Sequence, residues 1–267
     1  MLKRLCLMIF IMAVGGLLFL TPARSSPQGD LSRFKDNNCV QCHSRTSSPE
    51  GMSNRYADWH LSVHKEKGIG CEKCHGGNPG IRDEKKAHQG VLPSSNTESR
   101  IHKQNLPETC GTCHREVVGS FVESTHYQKL KSSGLGPSCT TCHAHMASAV
   151  VTYPDEGAAY CAHCHNAVNG IQPQRPDIPV KAKAVIEAIK RANFVVNWTN
   201  GLMGEANRRK LDVSEEQEDL KVVEIMLKEV KAGWHAFGLD SVLRKAEATF
   251  EEGAKIKDRL RKKLGYS

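Results

Sequence analysis

The chain has 267 residues, of which 39% are hydrophobic and 6% aromatic, and its formal net charge is +8. These values exclude an intrinsically disordered chain, and the length suffices for one large domain or two modest ones. The aromatic content is low for a core built from side chains alone, so we expect something else to fill part of the interior.

The first 26 residues have the layout of a secretory signal peptide. Lys3 and Arg4 precede an apolar run over residues 5–20, and small residues follow. Because the run is short for a membrane span, we predict cleavage near Ala23 or Ser26 and export of the rest, which in a bacterium means the periplasm or beyond. An uncleaved anchor in the inner membrane is the alternative, and membrane association is expected only through this segment.

Ten of the eleven cysteines repeat one spacing, Cys-x-x-Cys-His, while Cys6 lies in the N-terminal segment. This motif attaches c-type haem, since its two thiols can add to the vinyl groups of one porphyrin and its histidine then lies under the iron. Zinc sites need no histidine directly after the second cysteine. A disulfide framework has no reason to repeat one spacing five times. We therefore predict five covalently bound c-type haems.

The predicted haem-binding residues follow from the motifs. The cysteines that hold the porphyrins are Cys39, Cys42, Cys71, Cys74, Cys110, Cys113, Cys139, Cys142, Cys161 and Cys164. The proximal iron ligands are His43, His75, His114, His143 and His165. Haem attachment is expected to hold this part of the chain together, as metal binding does in small metal-held domains.

Two further histidines end a repeated pattern, aromatic-x-x-Ser-x-His. The copies run from Trp59 to His64 and from Phe121 to His126, and each is joined to the next haem motif through Gly-x-Gly. Residues 39–75 and 110–143 are thus predicted to be two copies of one di-haem unit, with the fifth haem as an addition. We predict that the two histidines are distal iron ligands.

Other histidines can also supply distal ligands. His145 follows the fourth motif by two residues, so it would serve a neighbouring haem, and His102 and His88 are further candidates. His60 lies one turn before the histidine of the first repeat, where a supporting or solvent-exposed role is the alternative to ligation. His163, inside the fifth motif, is interpreted as a residue that does not bind iron.

The C-terminal third has a different character. A proline-rich linker precedes three predicted helices, and the first covers roughly residues 180–200. The second begins at Ser214, with Gln217 completing a capping box. The third has Asp240 as its N-cap and Gly265 as its stop.

His235 ends the second of these helices, beside Trp234, and no other histidine follows residue 170. A core or surface position is the ordinary role for such a histidine. Helices that pack on a haem need a contact point, however, so we predict His235 as the distal ligand of the fifth haem or of a neighbour.

The predicted fold is mainly α, with little regular structure around a stack of five haems and an antiparallel three-helix region at the C-terminus. The domains are a signal peptide at 1–26, a pentahaem domain at 27–170 and a helical region at 171–267. The haem propionates would offset the basic net charge, so the charge gives no reason to expect nucleic-acid binding.

The haem motifs, the aromatic-x-x-Ser-x-His elements and the trailing helices resemble the multihaem cytochrome c superfamily. This superfamily includes ammonia-forming nitrite reductase, hydroxylamine oxidoreductase and their electron-transfer relatives. The segment from Gly233 to Ala246 is similar to the glycine/histidine turn and following helix of the nitrite reductases. Those enzymes usually carry Cys-x-x-Cys-Lys at the catalytic haem, whereas every motif here ends in histidine, which favours electron transfer.

We therefore expect an exported cytochrome that relays electrons from a membrane quinol-oxidising cytochrome to a reductase or outer-surface acceptor, as in anaerobic respiration. One alternative is an enzyme that reduces or oxidises a small nitrogen or sulfur oxyanion, such as nitrite or hydroxylamine, at one open haem. Another is a membrane-anchored quinol dehydrogenase cytochrome. The sequence identifies no catalytic residue.

Overall fold

A computed structural model describes residues 31–45, 52–168, 170 and 174–266. The predicted signal peptide and Cys6 lie outside these residues. The described part is mainly helical and contains no strand, which confirms the mainly-α prediction. None of its helices combines the length and the apolar character needed to cross a membrane.

The α-helices are short up to residue 164 and long after residue 177. They are α1 (Asn38–His43), α2 (Met52–His60), α3 (Val63–Glu66), α4 (Cys71–His75), α5 (Glu84–Ala87), α6 (Leu106–Gly111), α7 (Arg115–Val122), α8 (Thr125–Ser133), α9 (Cys139–His143), α10 (Pro154–Cys164), α11 (Ile178–Arg208), α12 (Ser214–Gly233) and α13 (Leu239–Leu264). Single 3-10 turns cover Ser32–Phe34, Lys103–Asn105 and Trp234–Ala236.

Each haem motif lies on or at the end of one of these short helices. The first, second and fourth motifs lie within α1, α4 and α9, while the third and fifth begin in the last turns of α6 and α10. A helical turn brings residues i and i+3 to the same side of the chain. The two cysteines of each motif can therefore reach one porphyrin.

The two aromatic-x-x-Ser-x-His copies have the same local structure. Ser62 accepts a hydrogen bond from the Lys65 backbone N–H and so caps α3, and Ser124 caps α8 through the backbone N–H of Tyr127. The same hydroxyls donate to the carbonyl oxygens of the preceding aromatic residues, at 2.7 and 2.6 Å. The pattern is therefore a buried N-cap that fixes where the next helix, and the histidine on it, begins.

The three long helices form an up-down-up unit. α11 and α13 run parallel, because Lys181 pairs with Asp240 near their first turns and the Arg209 guanidinium donates to the Leu264 carbonyl at their far ends. α12, which lies between these two helices in the sequence, runs antiparallel to them and contacts both α11 and α13. Two clusters of buried aliphatic side chains fill the space between the helices.

Close helix approach and one buried ion pair hold this unit together. A Cβ at Gly253 of α13 would lie 2.9 Å from Val195 of α11, and the Thr199 hydroxyl donates to the Gly253 carbonyl at 3.3 Å. Glu216 of α12 is 1% exposed and accepts a hydrogen bond from the Lys263 ammonium at 2.8 Å. A buried carboxylate requires such a partner.

The predicted helix boundaries need three corrections. The first long helix runs over residues 178–208, well beyond the predicted 180–200. The predicted capping box is wrong, because Val213 is the N-cap of α12 and Ser214 instead donates to the carboxylate of Asp212. Gly238, not Asp240, is the N-cap of α13. Gly265 does end that helix, in the left-handed conformation that suits glycine.

Candidate haem centres

The cysteine pairs of successive motifs lie next to one another. Burial, followed by the nearby Cys39, raises the pKa of the Cys71 thiol to about 11, which places the first motif beside the second. Burial and the proximity of Cys110 raise the pKa of Cys74, so the second motif adjoins the third.

The second half of the motif series continues in the same way. The Cys110 thiol is hydrogen-bonded to Cys139, which raises the pKa of Cys110 and lowers that of Cys139. Burial and the proximity of Cys161 raise the pKa of Cys142 to about 11. The five motifs therefore follow one another through the structure in chain order.

Four motif histidines face a histidine from elsewhere in the chain. The ring centroids of His43 and His88, of His64 and His114, and of His143 and His235 are each 6.1 Å apart, and those of His126 and His165 are 6.0 Å apart. None of these pairs is close enough for a hydrogen bond between the rings.

The spacing fits an iron ion between the two imidazoles. A metal–imidazole bond is about 2 Å long and the nitrogen lies about 1.1 Å from the ring centre, so two imidazoles on opposite sides of one metal have centroids about 6 Å apart. All four pairs have this separation, and each joins one motif histidine to one other histidine. The residues present thus fit a haem iron held from both sides.

The two repeats supply their histidines to later motifs. His64 lies between the first and second motifs in the sequence but faces His114 of the third motif. His126 lies between the third and fourth motifs but faces His165 of the fifth. Each repeat therefore reaches the motif after the next one. These contacts tie together the part of the chain that carries the five motifs, which we call the haem region.

The remaining predicted distal candidates have other surroundings. His102 accepts a hydrogen bond from the Gln104 backbone N–H and caps the 3-10 turn that follows it. His145 is exposed, as is His163. Among the described residues, neither His102 nor His145 faces a motif histidine at the separation of the four pairs, so their role as ligands stays a prediction.

Haem motif two differs from the other motifs. Burial and then the proximity of His43 and Arg55 lower the pKa of His75, which places this motif beside the first. Among the residues that the structure describes, no histidine ring faces His75 at about 6 Å. Elsewhere, the Nδ1 atom of His60, whose ring lies 5.9 Å from that of Tyr56, is buried without a hydrogen-bond partner among the described residues.

The second ring nitrogens of the paired histidines have unequal environments. The Nδ1 atoms of His143, His235 and His88 donate to backbone carbonyls, at 2.9, 3.1 and 2.8 Å for the shortest contacts. The Nδ1 atoms of His126 and His165 are buried and find no acceptor among the described residues. Burial also lowers the pKa of both of these imidazoles.

Sequence reasoning missed one residue of this region. The ring of Phe237 lies perpendicular to that of His126, with centroids 4.3 Å apart and an interplanar angle of 83°. Its backbone has φ +60°, which is unusual for a bulky side chain. Nothing in the sequence distinguishes this phenylalanine from a core residue.

Two geometric observations bear on the cysteines of the described residues. The ten cysteines of the described residues are all unpaired. No group of three or more histidine, cysteine or acidic side chains there is arranged to hold a single metal ion, as a zinc site would require.

Comparisons with known proteins give partial matches. Residues 22–76 match the family described as cytochrome c554 and c-prime. Over 124 residues, or 44% of this chain, the sequence is 28% identical to the C-type polyheme cytochrome OmcC of Geobacter sulfurreducens. It is 29% identical over 126 residues to the C-type polyheme cytochrome OmcB of the same organism. The matched part spans 15% of the length of each of these relatives, and no solved structure matches the chain.

Proposed function

We propose that this chain, a multihaem c-type cytochrome by its motifs and its relatives, relays electrons through five covalently bound haems. The observation that carries the proposal is the set of four histidine pairs, each with ring centroids 6.0–6.1 Å apart. Iron held by two imidazoles has no free position for a substrate, so it exchanges electrons without binding one.

The proposed distal ligands follow from the pairs. His88 would bind the iron of the first haem, His64 that of the third, His235 that of the fourth and His126 that of the fifth. The sequence had linked His235 to the fifth haem or a neighbour, and the pair with His143 favours the fourth.

We place the protein in the periplasm or beyond, between a quinol-oxidising membrane cytochrome and a downstream reductase or outer-surface cytochrome. The N-terminal segment, with its basic start and apolar run, supports export. Transfer between haems requires short separations, and each motif lies beside the next one in the chain. This arrangement supports entry of electrons at one end of the haem series and exit at the other.

The test is the haem content and the coordination of each iron in the full-length protein, made in a host that attaches c-type haem. Mass spectrometry should show five added haems, and electron paramagnetic resonance of the oxidised protein should show low-spin iron at the four paired sites. Fewer haems, or mainly high-spin iron, would contradict the relay. Recovery of an intact N-terminus from membranes would instead favour a membrane-anchored quinol dehydrogenase.

A second function is supported by one observation at the second motif. His75 faces no other histidine among the described residues, and the Arg55 cation is near enough to influence it. An iron with an open position beside a cation could reduce or oxidise a small nitrogen or sulfur oxyanion. A high-spin signal in the wild-type protein, nitrite or hydroxylamine turnover, and loss of that turnover in R55Q would support this function. Five low-spin irons and no turnover would exclude it.

A further inference from the structure

The turn after α12 contacts the histidine pairs of two haem motifs at once. It presents His235 to His143 of the fourth motif, with ring centroids 6.1 Å apart. Two residues later it presents Phe237 to His126, whose own partner is His165 of the fifth motif. One turn of the helical unit therefore carries the proposed distal histidine of the fourth haem and contacts that of the fifth.

The backbone of this turn holds Phe237 in an unusual conformation. Phe237 has φ +60° and ψ 22°, and its N–H donates to the Trp234 carbonyl at 3.1 Å. The adjacent Gly238 could adopt positive φ without strain, but its φ is −78°. A strained residue persists where the surroundings fix it and often marks a functional position. Here the result is an aromatic ring held against His126.

The two histidine pairs differ in what their Nδ1 atoms meet. The Nδ1–H of His143 donates to the Ala149 carbonyl at 2.9 Å, and that of His235 donates to the Lys231 carbonyl at 3.1 Å. In the pair formed by His126 and His165, both Nδ1 atoms are buried and neither finds an acceptor among the described residues. The rings of Phe121 and Trp234 have centroids 6.3 and 6.5 Å from that of Phe237, so Phe237 itself has apolar surroundings.

Hydrogen bonding at Nδ1 changes how an imidazole binds metal. Donation to a carbonyl makes the ring a stronger base and stabilises the more highly charged, oxidised iron. An imidazole in an apolar environment without an acceptor is a weaker base, and the reduced iron is then favoured.

We propose that Phe237 is a positioning residue that keeps hydrogen-bond acceptors away from Nδ1 of His126, so that the fifth haem has a higher potential than the fourth. The proposal rests on the relay and the ligand pairs of the proposed function. In the holoprotein, His143 and His235 would hold the iron of the fourth haem and His126 and His165 that of the fifth, and the difference in potential would favour transfer of one electron from the fourth to the fifth. No bond is made or broken and no proton moves.

The test is a potentiometric titration of the full-length holoprotein, followed by electron paramagnetic resonance. Each haem should give one reduction step, or wave, in the titration. H126A and H235A identify the waves of the fifth and fourth haems, because each variant should convert one low-spin signal to a high-spin signal. In the wild-type protein the wave lost in H126A should lie at a higher potential than the wave lost in H235A. The reverse order, or equal potentials, overturns the proposal.

Substitution of Phe237 tests the role of its side chain. F237N replaces the ring that contacts His126 with an amide that can accept a hydrogen bond, and asparagine tolerates positive φ better than most residues. It should lower the potential of the fifth haem by about 59 mV, a tenfold change in a one-electron equilibrium. F237L is the matched control, because it removes the ring and adds no acceptor, and it should shift the potential by much less. Equal shifts in both variants overturn the assignment.

These outcomes are distinct from failure of the proposed function. A haem count other than five, or absence of low-spin iron in the wild-type protein, would remove the relay itself. If those measurements hold and only the order of potentials fails, the relay stands and the role of Phe237 does not. Should neither Phe237 variant accumulate with haem, the potentials in the wild-type protein still decide whether the fifth haem lies above the fourth, and the reverse order still overturns the proposal.

Discussion

At the residue scale, His64 and His126 are each far along the sequence from the motif histidine that they face in space. Fifty residues separate His64 from His114, and 39 separate His126 from His165. A distal ligand that came from its own motif's neighbourhood would tie together only local chain. These two residues instead connect parts of the sequence that no helix joins. Their loss should therefore change the iron coordination of a haem whose motif is distant in the sequence.

H64A should convert one low-spin haem to high-spin, and that haem should be the one attached at Cys110 and Cys113. The physical reason is that the only change is removal of an imidazole that faces His114 at 6.1 Å. Electron paramagnetic resonance of the oxidised protein measures the spin state, and an additional cyanide-binding iron relative to the wild-type protein shows that one axial ligand has been lost.

The control for H64A is H163A, which removes an exposed histidine that lies within a haem motif. It should leave every haem low-spin that is low-spin in the wild-type protein. If H64A kept all of its low-spin signals, or if H163A lost one, the ligand pairs read from ring separations would be wrong.

At the scale of helices, the repeated serine and the repeated glycines fix the positions of the two repeat histidines, which we propose as distal ligands. Ser124 begins α8, which carries His126, and Gly134 ends that helix at φ +70°. The second glycine has another role, because a Cβ at Gly136 would overlap the carbonyl oxygen of His126 and the backbone of Leu130. The chain after α8 thus folds back directly over the helix.

S124A should lower the free energy of unfolding by about 1 kcal/mol, the usual loss when an N-cap hydroxyl is removed. Ser124 is 3% exposed and caps α8 through the Tyr127 N–H at 3.1 Å. S132A is the matched control, since Ser132 is an exposed residue of the same helix. Denaturant titration of the two holoproteins measures the difference, and equal stabilities would contradict the capping role.

G136A should disturb the fifth haem, because the added methyl group displaces α8 and with it His126. G119A is its control: a Cβ at that position of α7 meets no atom within 4 Å, and alanine favours a helix by about 1 kcal/mol over glycine. We expect a high-spin component in the spectrum of G136A that the wild-type protein lacks, and no such addition in that of G119A. Unchanged spectra for both variants would contradict the prediction, because they would show that the chain accommodates a methyl group at position 136 without moving His126.

Periodicity and motif spacing predict much of the molecule but not how its parts meet. The helices that begin at Ser214 and end at Leu264 follow from aliphatic spacing and from Gly265, since these are local properties. The pairing of His88 with His43, or of His235 with His143, depends on the path of the chain between them and has no local signal. Phe237 is of the same kind, because its contact with His126 arises only when the helical unit packs on the haem region.

At the scale of the whole molecule, the haem region and the three long helices differ in how many hydrophobic side chains they bury. In the described part of the chain before residue 170, the buried hydrophobic side chains are Phe34, Val40, Trp59, Phe121 and Leu130. The three long helices contain two continuous aliphatic clusters of their own. We therefore expect the haem region to depend on its porphyrins for an interior, whereas the helical unit has a side-chain core.

The chain made in a host that cannot attach haem should accordingly keep its C-terminal helices and lose helices α1 to α10. Limited proteolysis with mass spectrometry should leave a fragment close to residues 178–266, because cleavage requires local unfolding and the aliphatic clusters resist it. The holoprotein, treated alongside, should be resistant over the haem region as well. If the haem-free chain were cut no faster between residues 31 and 165 than the holoprotein, side-chain packing alone would hold that region, and the porphyrins would not be its interior.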